Sequence, residues 1–368
     1  VITTLDRMFL ISYFRSYFIV CFSLIGLFVV LDLFTHLDDF MGKSSNGFAA
    51  AAGQIVRYYG YRIPQLFDLL AEPMTLMAAA FSVSWMQRNN ELLPQLSAGI
   101  PTRRAIRPIL LGAAFTLSLS PLNQQFMIPA VADQLMRQRD DPEGARAQVL
   151  MGAYDSSGIH LEGYAGFRRD RKVERLCITF PENSPSGMLH MTAAEAYYLP
   201  RVDGDPLTGG WMLTKTAPES FEGPLPLNLT SLGTGRFFLK VKDADYDAVC
   251  RGGTWYIYAS TTDLRELLID PEPRRRTKMA VLFHTRVTRP IVGAIMVVLG
   301  LSVVLMNPNR HIIISAGLCL GVAGSLYLFV IICKYLGDQD ILAAPLAAWL
   351  PVMLYGPIAF VTFDSIYT

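Results

Sequence analysis

Apolar and polar positions alternate along this chain on a scale far longer than a helical turn. Six apolar runs stand out, at about 10–34, 63–86, 106–132, 281–306, 312–335 and 345–363. Each is long enough to cross a bilayer, which takes about 20 residues in a helix. Between the third and fourth runs lie about 150 residues of a different character. There, short stretches rich in β-branched and aromatic residues, at 159–164, 173–180, 188–199, 210–216, 236–241 and 254–259, predict strands. They are separated by turn chemistry such as Pro185-Ser186-Gly187, Asp203-Gly204-Asp205-Pro206 and Arg251-Gly252-Gly253. Many short strands without intervening helices predict a sandwich or jelly-roll. Residues 261–268 read as a capped helix leading back to the membrane. The expected fold is an α+β integral membrane protein with a 3+3 arrangement of spans around an inserted β domain. The expected units are 1–135, 136–272 and 273–368.

A second kind of helix is predicted between the second and third runs. The stretch from Gln87 to Pro101 is amphipathic and too short to span. Asn89 or Asn90 can cap its start, and Gly99 with Pro101 just beyond it supplies a stop. It reads either as a docking helix for a partner that pushes on the spans or as a loop with one helical turn.

Composition supports the membrane assignment. Of 368 residues, 52% are hydrophobic and only 17% charged, against about 25% charged in an ordinary soluble domain. The net charge of +1 comes with no basic block long enough to track a phosphate backbone, which argues against nucleic acid as a partner. The first run lacks a small-residue cleavage site and is expected to stay as a span. Short loops set the predicted sidedness. Arg88, Arg103, Arg104, Arg107 and Arg310 lie on one side, while Asp38, Asp39, Asp338 and Asp340 lie on the other. The positive-inside rule then puts both termini and the 87–101 stretch in the cytoplasm. Arg274, Arg275, Arg276 and Lys278 run against that rule.

Ionisable residues inside the runs narrow the chemistry. Asp32, Asp68, Glu72, Asn123 and Arg286 lie within or at the edges of spans. A charge at the bilayer centre costs at least about 2.5 kcal/mol, so these side chains should face protein or a wet cavity. Asp68 and Glu72, at i and i+4 on one face, would either line such a cavity or pair with Arg57 or Arg62. Arg57, Arg62, Arg137, Arg139, Arg286 and Arg289 all fall near the expected outer ends of spans. Together they suit a lipid phosphate, which arginine grips through two hydrogen bonds, although any one alone could simply snorkel to headgroups. Gly317, Gly321 and Gly324, near Ser315 and Ser325, form a small-residue face on which another helix can pack closely. Cys177 and Cys250 in the β section would either join as a disulfide, if that section faces an oxidising compartment, or stay two buried thiols.

Several motifs carry no weight. Gly42-Lys43-Ser44 lacks the strand and first glycine of a phosphate-binding loop. His160 with Glu162 is too little for a metal site, so no metal or cofactor is expected. Asn228-Leu229-Thr230 matches a glycosylation acceptor on three residues alone.

The layout and local motifs resemble the LptF/LptG family of lipopolysaccharide export permeases. The resemblance rests on Leu5-Asp6-Arg7, Leu31-Asp32-Leu33 with Leu37-Asp38-Asp39-Phe40, and Asn90-Glu91-Leu92 leading to Ser97-Ala98-Gly99-Ile100 with Arg103-Arg104. Further on it rests on Pro121 to Asn123 with Pro129, His284-Thr285-Arg286 with Arg289-Pro290, and Leu336-Gly337 with Ala347-Ala348-Trp349-Leu350-Pro351. It is weakest in the β section. It implies a non-catalytic permease in the bacterial inner membrane, paired with a sister subunit and driven by a cytoplasmic ABC ATPase dimer. A coupling helix at about 88–100 would meet the ATPase through Arg88, Glu91, Leu92, Leu96, Gly99 and Arg103. Arg57, Arg62, Glu72, Arg137, Arg286 and Arg289 would handle the glycolipid, and Gly317, Gly321 and Gly324 would belong to a lateral gate. Lipopolysaccharide would then pass through a periplasmic jelly-roll to bridge proteins. From a different class, a membrane-anchored envelope scaffold or receptor binding partners through its β domain competes with this reading; it would not need Glu72 inside the membrane.

Overall fold

The computed structural model describes residues 3–38, 48–136, 147–148, 150, 152–182, 187–202, 207–221, 225–250, 255–269, 276–306 and 312–366. Arg137, Arg139, Gly42-Lys43-Ser44, Arg274, Arg275 and the 307–311 turn lie outside the described residues. By its internal contacts the chain divides into two compact units, Val1–Leu135 with Ile257–Thr368, and Met136–Tyr256.

The first unit is helical. Its elements are α1 (Thr4–Thr35), α2 (Phe48–Arg88), α3 (Leu92–Ser97), α4 (Thr102–Leu122), a π-helical turn (Asn123–Met127), α5 (Ile128–Leu135), α7 (Thr261–Ile269), α8 (Arg276–Leu305), α9 (Ile312–Asp338) and α10 (Ala344–Asp364). Six helices are long and apolar enough to cross a membrane: α1, α2, α4 continued through the π turn, α8, α9 and α10. Helix α1 opens on a capping box in which Thr3 and Asp6 satisfy each other's backbone N–H groups. Helix α8 is central and packs on α2, α4, α7, α9 and α10. Several glycines permit close approaches between these helices. A Cβ on Gly112 would lie 2.6 Å from the Tyr13 ring, and one on Gly293 would lie 2.7 Å from Leu117 and 3.3 Å from Glu72. The first approach seats Tyr13, whose hydroxyl bonds Thr116 at 2.7 Å. The second brings α8 against α4, with α2 beside it, and farther along α8 a Cβ on Gly300 would meet Leu76 of α2. By contrast α1 and α9 leave most of their surface uncovered. Phe18, Phe22 and Phe34 on α1 are exposed, and among the described residues nothing stands within 4 Å of a Cβ added to Gly317, Gly321 or Gly324.

The second unit is an antiparallel sheet inserted between helices. Its strands are β1 (Ala153–Tyr154), β2 (His160–Glu162), β3 (Ala165–Phe167), β4 (Lys172–Phe180), β5 (Leu189–Leu199), β6 (Gly210–Ala217), β7 (Leu229–Gly233) and β8 (Arg236–Lys240). They run in the order β1-β2-β4-β5-β6-β8-β7, with β3 paired to β4. The short helix α6 (Tyr246–Cys250) follows β8. Trp211, Leu213, Phe237, Leu239, Ile178 and Met191 form the centre of the core, with the Trp211 indole donating to the Ala244 carbonyl at 2.9 Å.

A regular strand keeps its buried set at period two. The three central strands all shift that set at one level. Buried Val173 is followed by Leu176 and Ile178, Ala193 by Ala196, and Leu213 by Thr216. At this level Arg175 and Lys215 take left-handed φ values of 51° and 52°, and the paired rows Glu174–Glu195 and Glu195–Thr214 lie beside them. Irregularities at one level in neighbouring strands bend the sheet as bulges do.

Asp155 is buried and gathers the N–H groups of Lys242, Asp243 and Ala244 together with that of Ser157. Burial alone would raise its pKa, but the Ser157 hydroxyl and the N–H groups of Asp243, Ser157 and Lys242 outweigh that and hold the carboxyl below its ordinary value. On the sheet surface the Lys172 ammonium bonds Glu195 at 2.9 Å and Glu174 at 3.2 Å, which raises its pKa to about 12. Cys177 carries a free thiol; the Cys250 side chain lies outside the described residues.

Three expectations need correction. Residues 254–259 form no strand where they are described: Trp255–Ile257 is a 3-10 turn. The carbonyls of Ile257 and Ala259 are taken by an arginine instead of a neighbouring strand. Strands β1, β3 and β7 were not anticipated; they are two to five residues long. Neither Asn89 nor Asn90 caps α3, whose N-cap is Glu91 with no side-chain cap bond. Asn90 instead ends α2 in a left-handed conformation (φ 57°), with Glu91 N–H bonded to the Met86 carbonyl and Asn90 N–H to that of Gln87. This is a Schellman closure, which asparagine tolerates better than most residues.

Candidate functional site

Helix α2 carries Asp68 and Glu72 one turn apart, between Pro64 and Pro73. Each proline removes an N–H from the helix ladder and loosens the preceding turn. The Asn123 side chain donates to the Pro64 carbonyl at 2.8 Å. Asn123 begins the π turn, which ends just before Pro129, a residue that would clash with the Gln125 carbonyl in regular helix geometry. The wider turn sets three consecutive polar side chains to three tasks. Asn123 holds α2, and Gln124 donates to the Asp68 carboxylate at 3.1 Å beside Ser120 at 2.9 Å. Gln125 reaches α7, donating to the Thr262 hydroxyl at 2.9 Å and accepting from Thr261 N–H at 3.2 Å.

Opposite these, α8 presents two arginines one turn apart. Arg289 binds both acids. Its Nη1 donates to Asp68 Oδ2 at 2.6 Å, its Nη2 to Glu72 Oε2 at 3.1 Å, and it further engages Glu72 Oε1 and the Asp68 backbone carbonyl. Of the two expected roles for Asp68 and Glu72, lining a cavity holds, while the other, pairing with Arg57 or Arg62, is replaced by pairing with Arg289. Helix α8 packs on α2 here, with Gly293 one turn beyond Arg289 allowing the approach of Glu72 and Gly300 that of Leu76. Arg286, only 7% exposed, donates Nη1 to the Ala259 carbonyl and Nη2 to the Ile257 carbonyl, both at 2.7 Å. Two of the residues expected to hold a lipid phosphate are thus engaged by the protein itself.

These groups form the polar wall of a cavity of about 420 Å³ bounded by α1, α2, α8, α9 and α10. Its other walls are apolar, with Phe28, Leu69, Met296 and Val330 among them. Two further cations line it, Arg62, which lies 4.9 Å over the Tyr58 ring, and Lys334 on α9. Arg62, Glu72, Arg286 and Arg289 therefore come together, whereas Arg57 is exposed on α2 and does not line the cavity. Lys334 was not anticipated. Its signal was a lone cation in the otherwise apolar 312–335 run.

The second feature is α3. Leu92 and Gln95 are buried while Leu96 is 42% exposed. The helix ends on Gly99 (φ 76°), with Ile100 N–H bonded to the Gln95 carbonyl and Gly99 N–H to that of Leu96, so the expected glycine stop is present. Beyond it, Arg103 donates to the Asp364 carboxylate at 3.0 Å and to the Asp364 carbonyl, and stacks 5.8 Å from Phe363 at the end of α10. Arg88 and Arg104 are exposed.

An apolar helical bundle with a charged cavity, interrupted by an antiparallel sheet, is the architecture of a polytopic membrane protein. The model of the lipopolysaccharide export system permeases LptF/LptG matches residues 7–152 and 224–365. The chain belongs to this family, and with it to the multi-pass inner-membrane permeases of lipopolysaccharide export, which are transporters working with partner proteins. Residues 153–223, which hold β1 to β6, lie outside the match. A search of curated proteins found no match.

Proposed function

We propose that this chain is one permease subunit of an ABC transporter that draws lipopolysaccharide, or a related anionic glycolipid, out of the inner membrane toward a periplasmic bridge. The observation that carries the reading is the cavity's pairing of apolar walls with cations. Arg289 is matched in charge by Asp68 and Glu72, and Arg286 is held by neutral carbonyls, so Arg62 and Lys334 are the first cations to receive phosphate. At about 420 Å³ the cavity matches sites of about 300–1,000 Å³ that hold small ligands, so it takes one part of a large amphiphile. The uncovered faces of α1 and of the Gly317, Gly321 and Gly324 stripe on α9 suit close packing against a sister subunit, where a lateral gate would open.

On the cytoplasmic side, α3 would be the coupling helix for an ATPase dimer that hydrolyses ATP in place of this chain. Leu92 anchors it inward, while Glu91, Leu96 and Arg88 face the partner. Gly99 stops it, and Arg103 ties its far end to α10. By the positive-inside rule, the basic short loops support cytoplasmic termini and a periplasmic sheet unit.

Three measurements test this. Purification of the full chain with its natural partners should bring down an ABC ATPase and a sister permease, and Glu91→Lys should leave the assembly folded while ATP hydrolysis no longer drives lipid release from vesicles. Arg62→Glu with Lys334→Glu should weaken photo-crosslinking of lipopolysaccharide to the cavity. Unchanged release with Glu91→Lys removes the coupling role, and absence of any ATPase removes the transport reading.

A further inference from the structure

We infer that Arg286 is a ligand-sensitive latch: when a phosphate-bearing headgroup enters the cavity, the guanidinium leaves the Ile257 and Ala259 carbonyls for the anion and frees residues 257–260 of the strap 257–262. The inference rests on the anionic-amphiphile reading above and adds a response to it. The strap is held at two places by two different helices. Arg286 of α8 takes two of its carbonyls at 2.7 Å each, and Gln125 of the π turn takes the Thr261 N–H and the Thr262 hydroxyl. Within the strap, Ser260 caps α7 reciprocally with Asp263. The strap belongs to the cavity wall, because Ile257 and Tyr258 line the same space as Arg286.

The two arginines of α8 differ in what holds them. Arg289 is locked by two carboxylates, which an incoming anion cannot outcompete without separating buried opposite charges. Arg286 is held by two neutral carbonyls. The Arg286 bonds to the carbonyls are charge-assisted on the donor side only, whereas a phosphate adds a full opposite charge and accepts two parallel bonds from the guanidinium fork. An anion in the cavity therefore competes with the strap for Arg286 and with nothing comparable for Arg289. Gln125 is uncharged and keeps its grip, so release is confined to the Ile257–Ser260 side.

Hydrogen exchange on the full chain in nanodiscs reads the strap through the protected amides of Ser260, Thr261, Asp263 and Leu264. The probes are bisphosphorylated lipid A, its dephosphorylated form and inorganic phosphate, with lipid binding followed separately by native mass spectrometry. Bisphosphorylated lipid A should speed exchange at Ser260 and Leu264 by about five-fold or more, while the dephosphorylated lipid leaves it unchanged. Arg286→Lys, which keeps the charge but cannot fork across two carbonyls, should show fast exchange without lipid and no further response. Gln125→Leu should raise exchange at Thr261 yet keep the lipid response. Lipid A bound without faster exchange overturns the latch and leaves the transport reading standing; lipid A failing to bind removes both. Equal release by inorganic phosphate alone overturns the glycolipid as trigger.

Discussion

The triad of Asp68, Glu72 and Arg289 makes an asymmetric prediction. Its formal charge is −1, and Arg289 is the cation that contacts both acids. Replacing Arg289 with methionine keeps the volume but leaves two carboxylates within one helical turn, facing apolar surroundings. Asp68 retains Ser120 and Gln124 as donors. Glu72, 4% exposed, loses the partner that its two carboxylate oxygens bind. Removing one member of a buried pair costs about 3–5 kcal/mol. Glu72→Gln acts the other way on the charge count: it leaves one acid against one arginine, and the amide oxygen still accepts from Arg289. The amide NH2 faces the other Arg289 N–H, so the cost should be about 1–3 kcal/mol, still below that of Arg289→Met. The double variant Arg289→Met with Glu72→Gln removes the stranded charge and should be more stable than Arg289→Met alone, by about 1–3 kcal/mol of coupling. Denaturant titration of the purified chain in mild detergent, followed by helical circular dichroism, measures all three. A double variant less stable than Arg289→Met alone would refute the charge-count argument.

Other consequences are simpler to test. Gly112→Ala places a methyl 2.6 Å from the Tyr13 ring and should cost about 1–3 kcal/mol; adding Tyr13→Leu should recover part of that in the same titration, and no recovery would show the strain lies elsewhere. Asp155 has a depressed folded pKa, so its stabilising contribution is complete above the ordinary value of 3.8 and is lost as pH falls through the lower folded value. Exchange at the Lys242, Asp243 and Ala244 amides should accelerate in that acid range in the native chain, and Asp155→Asn should make it fast and pH-independent apart from intrinsic chemistry. Arg103→Ala removes the bond to Asp364 and should loosen the end of α10, read as faster exchange at Ser365 and Ile366, whose amides bond back into that helix.

What could be read before folding was set by range. The six spans, the 3+3 order, most strands and the Gly99 stop depend on periodicity or on one residue's backbone preference, and each is visible within a window of about 20 residues. The spacing of Asp68 and Glu72 was visible for the same reason. Their partner was not, because the choice between Arg57, Arg62 and Arg289 depends on which helix comes near enough, and that is set by how α8 packs on α2 at residues such as Gly293 and Gly300, far in sequence from either acid. The run at 254–259 failed similarly: aromatic and β-branched residues favour a strand locally, but Arg286 consumes the carbonyls that a neighbouring strand would have taken. Asn90 could equally have opened α3 or closed α2, and the backbone bonds of the longer helix decided it. The functional residues least legible in the chain are thus those whose role is an interhelical bond, Arg286 and Gln125 above all. The cavity's chemistry follows from such bonds, since they determine which of its cations are already matched and which can still take an anion.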